Sequence, residues 1–162
     1  MAGSRNPKAV CRGKDCCVKK KLAGLISLFL LLPIFSGQAA GGPPPAVLEM
    51  VAEAKASVKS VSPAEVKQTL DRKEAVIILD VRDPEEYAGG HLPGAVNISR
   101  GTLEFKVRDK LPDTEARIIV YCLSGGRSAL ATRTLNALGY RNAVLLNAPL
   151  QEWTQAGYPL EK

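Results

Sequence analysis

The stretch RIIVYCLSGGRSALATRTLNAL, residues 117–138, indicates most clearly how the chain folds. Residues 117–121 (RIIVY) have an apolar and partly β-branched run after the first arginine, which predicts a strand buried on both faces. Residues 128–138 have a helix-forming composition, and Gly139 follows at the place where helices commonly end. Cys122 comes directly after the predicted strand. The stretch therefore predicts a strand, a short loop and a helix, with a cysteine at the carboxyl end of the strand.

The same alternation extends along the rest of the chain. Further strand-like apolar runs are residues 75–79, 95–98 and 143–146, and further helix-like stretches are residues 46–59, 62–70, 83–88 and 150–156. The helix at 62–70 opens with a capping box formed by Ser62 and Glu65. Strands that alternate with helices at this spacing predict an α/β domain with a parallel sheet and helices on both faces.

The charges are distributed unevenly. The chain has 22 Lys and Arg against 16 Asp and Glu, a formal net charge of +6. Residues 1–40 hold seven of the basic residues and a single acid, so the whole excess lies there and residues 41–162 are balanced. A nucleic-acid-binding domain normally keeps a basic face on its folded part. The sequence therefore argues against a nucleic-acid partner.

Residues 1–40 are typical of a secretory signal peptide. A basic region (residues 1–21) precedes an apolar run of fourteen residues (22–35, LAGLISLFLLLPIF) and a small-residue cleavage region (36–40). The apolar run is shorter than the ~20 residues that span a membrane. We expect a periplasmic or secreted protein without stable membrane insertion after cleavage; an uncleaved anchor is the alternative. Residues 41–60 are then a linker and an N-terminal helix.

Cleavage would leave Cys122 as the only cysteine, because Cys11, Cys16 and Cys17 lie in the segment removed. Those three have neither a histidine nor a fourth cysteine beside them, so we expect no metal site and no cofactor. A lone thiol in an exported protein cannot form an internal disulfide. Cys122 could be an inert buried thiol, could pair with a cysteine of another molecule, or could be a reactive thiol, and the neighbouring residues must decide between these possibilities.

The loop after the cysteine has the composition of an anion cradle. Successive N–H groups of a glycine-containing turn can point inward, and the dipole of the following helix favours negative charge in the same place. Arg127 would add a fixed positive charge with forked donors; the alternative for this residue is an ion pair with an acid elsewhere. The candidate site residues are Cys122, Leu123, Ser124, Gly125, Gly126, Arg127 and Ser128.

Several separate motifs resemble the rhodanese family of sulfurtransferases. They are residues 80–87 (DVRDPEEY), 90–98 (GHLPGAVNI), the strand and loop at 118–129, and the ending at 153–159. The resemblance covers roughly residues 60–160. It implies a rhodanese-like domain over residues 61–162, with a three-layer fold whose central five-stranded parallel sheet lies between helices.

The resemblance also implies a mechanism. Cys122 would take sulfur from an anionic donor such as thiosulfate, hold it as a persulfide within the loop amides, and pass it to a thiol or to cyanide. Arg127 would anchor the donor. Asp80, Arg82 and His91 match family positions, and we expect them to act mainly as structural residues near the site. Residues 147–149 (Asn-Ala-Pro) stand where the family usually has a glycine-rich sequence. This difference would alter the rim of the pocket, and the choice of substrate is left open.

Three alternatives remain open. The domain could be a non-catalytic binding module, or a persulfide carrier that serves a partner protein. A phosphatase or arsenate reductase would also use a cysteine, a loop and an arginine. Those enzymes place five residues between the cysteine and the arginine, whereas four separate Cys122 from Arg127. The shorter loop favours a single sulfur atom over a tetrahedral oxyanion.

Overall fold

The computed structural model describes residues 41–148 and 150–162, so the segment predicted to be a signal peptide, with its three cysteines, lies outside the described residues. The helices are α1 (Pro45–Ser57), α2 (Pro63–Asp71), α3 (Pro84–Ala88), α4 (Leu103–Lys110), α5 (Gly126–Ala137) and α6 (Leu150–Gln155). The strands are β1 (Ser60–Val61), β2 (Ile77–Asp80), β3 (Val96–Asn97), β4 (Ile118–Tyr121) and β5 (Ala143–Leu146). A 3₁₀ turn, Arg100–Thr102, precedes α4.

Within the described residues, these strands form one parallel sheet in the order β1-β5-β4-β2-β3. The α/β class and the five-stranded parallel sheet are confirmed. Two elements, β1 and α4, were absent from the individual assignments made on the sequence. The predicted capping box opens α2: the Glu65 amide donates to Ser62 Oγ at 3.3 Å, and the Ser62 amide donates to Glu65 Oε2 at 2.7 Å.

The carboxyl ends of the strands define one edge of the sheet. Asp80, the last residue of β2, pairs in register with Tyr121, the last residue of β4, and with Asn97 of β3. The loops that follow these strands therefore converge at one edge. In open parallel sheets this edge is where ligands bind, and β4, which precedes Cys122, lies in the middle of it.

Helix α1 packs on α5. Ala54 of α1 is fully buried in a small cluster with Ala129 of α5 and Leu145 of β5. The linker-and-helix segment is therefore in contact with α5, the helix that follows residues 122–125, which we call the cysteine loop. Along the described ranges, the structure contains no helix long and apolar enough to cross a membrane.

Candidate active site

The alternation of side chains along β4 determines where the Cys122 sulfur points. Ile118 and Val120 belong to the core cluster that contains residues of α4 and α5, and Cys122 belongs to it too. Ile119 and Tyr121 belong to the cluster on the opposite face. Because successive side chains of a strand point to opposite faces, Cys122 continues the first set. Its sulfur is thus directed toward α5.

The sulfur lies beneath the loop and receives hydrogen bonds from it. The Gly125 amide donates to Cys122 Sγ at 3.2 Å and the Ser128 amide at 3.4 Å, and the Ser128 hydroxyl lies 3.4 Å away. Cys122 is only 1 % exposed, and the sulfur is therefore covered by neighbouring atoms. These hydrogen-bond donors and the N-terminus of α5 favour negative charge on the sulfur.

One of the two loop glycines has the conformation that glycine permits. Gly125 has φ +86° and ψ −8°, in the left-handed region, whereas Gly126 has no positive φ and is the first residue of α5. The helix therefore starts two residues earlier than the sequence pattern predicted. The amides of Gly126 and Arg127 belong to the first turn, where N–H groups have no acceptor within the helix.

Arg127 makes an ion pair that the motif alone did not reveal. Its Nη1 and Nη2 donate to the two carboxylate oxygens of Glu86 at 2.6 and 2.8 Å, and Asp83 Oδ2 lies 3.5 Å from Nη1. The hydrogen bonds from Arg127 lower the pKa of Glu86 to about 2. The pairing with an acid, the alternative left open from the sequence, is the arrangement observed. The positive charge of Arg127 is therefore offset by these carboxylates.

Asp80 and Arg82 form a buried pair at the end of β2. Arg82 Nη2 lies 2.6 Å from Asp80 Oδ2, Nε donates to both carboxylate oxygens, and Nη2 also donates to the Gly90 carbonyl at 2.7 Å. Asp80 is fully buried, and Arg82 is 4 % exposed. The two side chains form hydrogen bonds with each other and with the backbone. The pair therefore connects the loops at this edge of the sheet.

His91 also contacts backbone groups and an aromatic ring. Its Nδ1 lies 3.1 Å from the Tyr87 carbonyl oxygen, and its ring stacks on Tyr87 with centroids 3.8 Å apart. Its amide donates to the Glu161 carbonyl at 2.9 Å. These contacts connect the turn to the C-terminal residues, and none of them is made with the cysteine loop.

A cleft of about 200 Å³ opens beside Gly125, and we call it the Gly125 cleft. The lining residues that matter for the argument are Lys55, Ser124, Gly125, Asn147, Ala148 and Glu152. Asn147 and Ala148 are two of the three residues that depart from the usual family sequence, so this departure forms part of the cleft wall. Over the described stretches, no group of three His, Cys, Asp or Glu residues could hold a metal ion.

Lys55 is the residue of this region that sequence reasoning missed. It lies in α1, and its Nζ is 3.5 Å from the position that a Cβ on Gly125 would occupy. Seventy residues separate the two along the chain, and no local motif marks Lys55. The only signal was the expected N-terminal helix, whose packing partner could not be read from the sequence.

Comparison with known proteins shows to which family this chain belongs. Residues 62–156 match the model of the rhodanese-like domain. The chain belongs to the rhodanese-like family. The matched residues begin at α2 and extend through α6, so they include the cysteine loop and exclude α1.

Curated relatives of this rhodanese-like chain include proteins with names from sulfur metabolism. It is 35% identical over 106 residues to YrkF of Bacillus subtilis, which is named as a sulfur carrier protein; the match covers 65% of this chain and 56% of YrkF. It is 29% identical over 99 residues to the thiosulfate sulfurtransferase GlpE of Pseudomonas putida, covering 61% and 87%. The chain thus spans only about half the length of YrkF.

Solved structures share the fold. A protein of unknown function from Rhodopseudomonas palustris, described as a candidate tyrosine phosphatase, has a TM-score of 0.67 and 28% identity over 75% of this rhodanese-like chain and all of that one. The polysulfide-sulfur transferase homodimer of Wolinella succinogenes has a TM-score of 0.62 and 28% identity, covering 72% and 87%.

Proposed function

We propose that this protein is a sulfurtransferase that moves sulfane sulfur from thiosulfate or a related anion, through a Cys122 persulfide, to a thiol or cyanide. The observation that carries the proposal is the position of Cys122 Sγ, which accepts hydrogen bonds from the Gly125 and Ser128 amides at the start of α5. A buried thiol without a chemical role does not require hydrogen bonds from two loop amides. The named activity of GlpE supports the choice of donor.

The reaction follows from these contacts as covalent catalysis in two steps. The Cys122 thiolate attacks the outer sulfur of thiosulfate; a sulfur–sulfur bond forms on the protein, and the bond within the donor breaks with its electron pair leaving on sulfite. The acceptor then attacks the outer persulfide sulfur. Cyanide leaves as thiocyanate, or a thiol leaves as a persulfide, and the thiolate returns.

The loop amides supply the electrostatic part of this mechanism. The thiolate that attacks in the first step and is released again in the second carries its negative charge on Cys122 Sγ, next to the amides of Gly125 and Ser128. A hydrogen bond to a charged group contributes about 1.5–3 kcal/mol. The first-turn amides of Gly126 and Arg127 are suited to the outer sulfur, since the helix leaves them without acceptors.

The test is a pair of measurements on the purified protein and its Cys122→Ser variant. We expect thiocyanate formation from thiosulfate and cyanide by the wild type only, and a mass gain of one sulfur atom after thiosulfate treatment of the wild type only. A wild type that neither turns over nor takes up sulfur would refute the enzymatic proposal. It would leave Cys122 as an inert buried thiol or the domain as a binding module.

A persulfide carrier is the second candidate, favoured by the similarity to YrkF, which is named as a sulfur carrier. A carrier would take up one sulfur atom as above, yet turn over slowly with small acceptors. The phosphatase alternative, which the description of the Rhodopseudomonas palustris protein keeps in view, predicts hydrolysis of an aryl phosphate. The four-residue spacing from Cys122 to Arg127 and the pairing of Arg127 with Glu86 argue against it.

We also propose that the protein is exported and loses residues 1–40. The support is the order of basic, apolar and small residues in that segment. Mass spectrometry of the protein from its native host should find an N-terminus near residue 40. Retention of residues 22–35 would instead favour the uncleaved anchor.

A further inference from the structure

We propose that Lys55 binds the anionic end of the sulfur donor and makes the site selective for doubly charged donors, an inference that rests on the proposed function. Lys55 Nζ stands 3.5 Å, and its Cε 3.7 Å, from the place of a Cβ on Gly125. The amide of that same glycine donates to Cys122 Sγ. The ammonium group therefore lies beside the loop that holds the reactive sulfur.

The position of Lys55 relates it to both depressions around the loop. It lines the Gly125 cleft, and it lines a second cleft of about 400 Å³ between α1 and α5, which also includes Ser124 and Arg127. A donor that approaches the cysteine loop from either cleft passes this ammonium group. Lys55 is exposed, so its flexible side chain can follow an anion into the site.

The charges around the site distinguish Lys55 from Arg127. Arg127 is already paired with Glu86 and lies 3.5 Å from Asp83, so its positive charge is offset by carboxylates. In the part of the chain that the structure describes, Lys55 has no ion pair within 4.0 Å, and Glu53 of the same helix lies 3.9 Å from Arg133 instead. Lys55 is therefore the cation that an incoming anion can use.

One carboxylate opposes this effect. Glu152, at the start of α6, lines the Gly125 cleft together with Lys55. Because like charges repel, Glu152 disfavours an anionic donor in the place where Lys55 favours it. The proposal therefore predicts opposite effects for neutralising these two side chains.

The structural alternative is that Lys55 only stabilises its own helix. It lies in the last turn of α1, where a positive charge interacts favourably with the helix dipole. That role predicts a small loss of stability for Lys55→Gln and no change in the use of donors. The two roles thus differ in the KM for the donor.

The experiment measures steady-state kinetics with thiosulfate, which carries two negative charges, and with methanethiosulfonate, which carries one. Lys55→Gln is expected to raise the KM for thiosulfate about fivefold, the effect of one exposed ionic contact, with kcat nearly unchanged. The increase with methanethiosulfonate should be smaller. Lys55→Arg should restore most of the affinity, and added salt should shrink the difference between variants.

Lys59→Gln is the matched control, because Lys59 is exposed two residues after α1 and lines a different cleft with Arg117 and Arg141. Its KM should match the wild type, and Glu152→Gln should lower the KM for thiosulfate. Equal KM values for the Lys55→Gln and wild-type proteins, or equal effects of the two lysine changes, would overturn the proposal. A wild type without turnover would instead count against the sulfurtransferase function itself, so the two failures are distinguishable.

Discussion

Replacing Gly125 by alanine tests the loop that the candidate site depends on. The added methyl group has space, because its nearest neighbours would be Lys55 Nζ at 3.5 Å and Cε at 3.7 Å, both at the end of a flexible side chain. The cost lies in the backbone, since φ is +86°. A side chain in the left-handed region costs roughly 1–2 kcal/mol, so Gly125→Ala should destabilise the fold by about that amount.

Gly126→Ala is the matched control on the neighbouring residue. Gly126 has no positive φ and begins α5, and its methyl group would meet Val51 at 3.7 Å, an ordinary contact. Alanine is favoured over glycine inside a helix by about 0.5–1 kcal/mol. The two variants should therefore differ by about 1.5–3 kcal/mol, with Gly125→Ala less stable. At roughly 4 °C per kcal/mol, their melting temperatures should differ by about 6–12 °C.

The assay combines thermal unfolding with the rate of persulfide formation from thiosulfate. If the chain relieves the strain at residue 125 by rotating its amide away from Cys122 Sγ, the stability loss shrinks, and the loss of one charge-assisted hydrogen bond slows sulfur uptake about tenfold or more. Gly126→Ala keeps the amide of residue 126, so it should leave the rate of persulfide formation unchanged and raise the melting temperature slightly. Equal melting temperatures and equal rates for the two variants would refute the assignment of Gly125 as the glycine that the loop requires.

Two further predictions concern the carboxylates around the site. Arg127 lowers the pKa of Glu86 to about 2. The Glu86 carboxylate therefore stabilises the fold fully above its ordinary pKa of about 4.3, and this stabilisation is lost as the pH falls toward 2. Acid unfolding of Glu86→Gln should lack this loss of stability. Asp80→Asn should cost about 3–5 kcal/mol in urea unfolding, because it leaves the buried Arg82 charge uncompensated. The change of the exposed, ion-paired Asp71 to Asn should cost no more than about 1 kcal/mol; comparable losses at residues 71 and 80 would contradict the argument from burial.

The sequence was sufficient for the central part of the fold because local pattern and burial agree there. The apolar run before Cys122 and the helix after it predicted β4 and α5, and the structure confirms the parallel sheet. β1 was missed because two residues, Ser60 and Val61, carry no periodicity. They become a strand by pairing with β5, a contact with residues 145 and 146 that no local pattern contains.

The site shows the same division between local and distant information. The order of residues in the loop predicted hydrogen-bond donors around Cys122. The amides that reach the sulfur are those of Gly125 and Ser128, and their identity depended on the backbone angles of one glycine. The pairing of Arg127 with Glu86 joins residues 41 positions apart. Both residues belong to recognised motifs, yet their contact depends on how the loops after β2 and β4 meet at the sheet edge.

The placement of Lys55 has a consequence for comparisons within the family. The family match begins at residue 62, whereas α1 ends at Ser57, so the proposed donor cation lies outside the matched residues. Rhodanese-like domains that share the cysteine loop can therefore differ in the charge presented to the donor, depending on the segment that packs against α5. If Lys55→Gln alters the preference between doubly and singly charged donors, donor choice in this protein is set partly by α1, and the cysteine loop sequence alone is an insufficient guide to it.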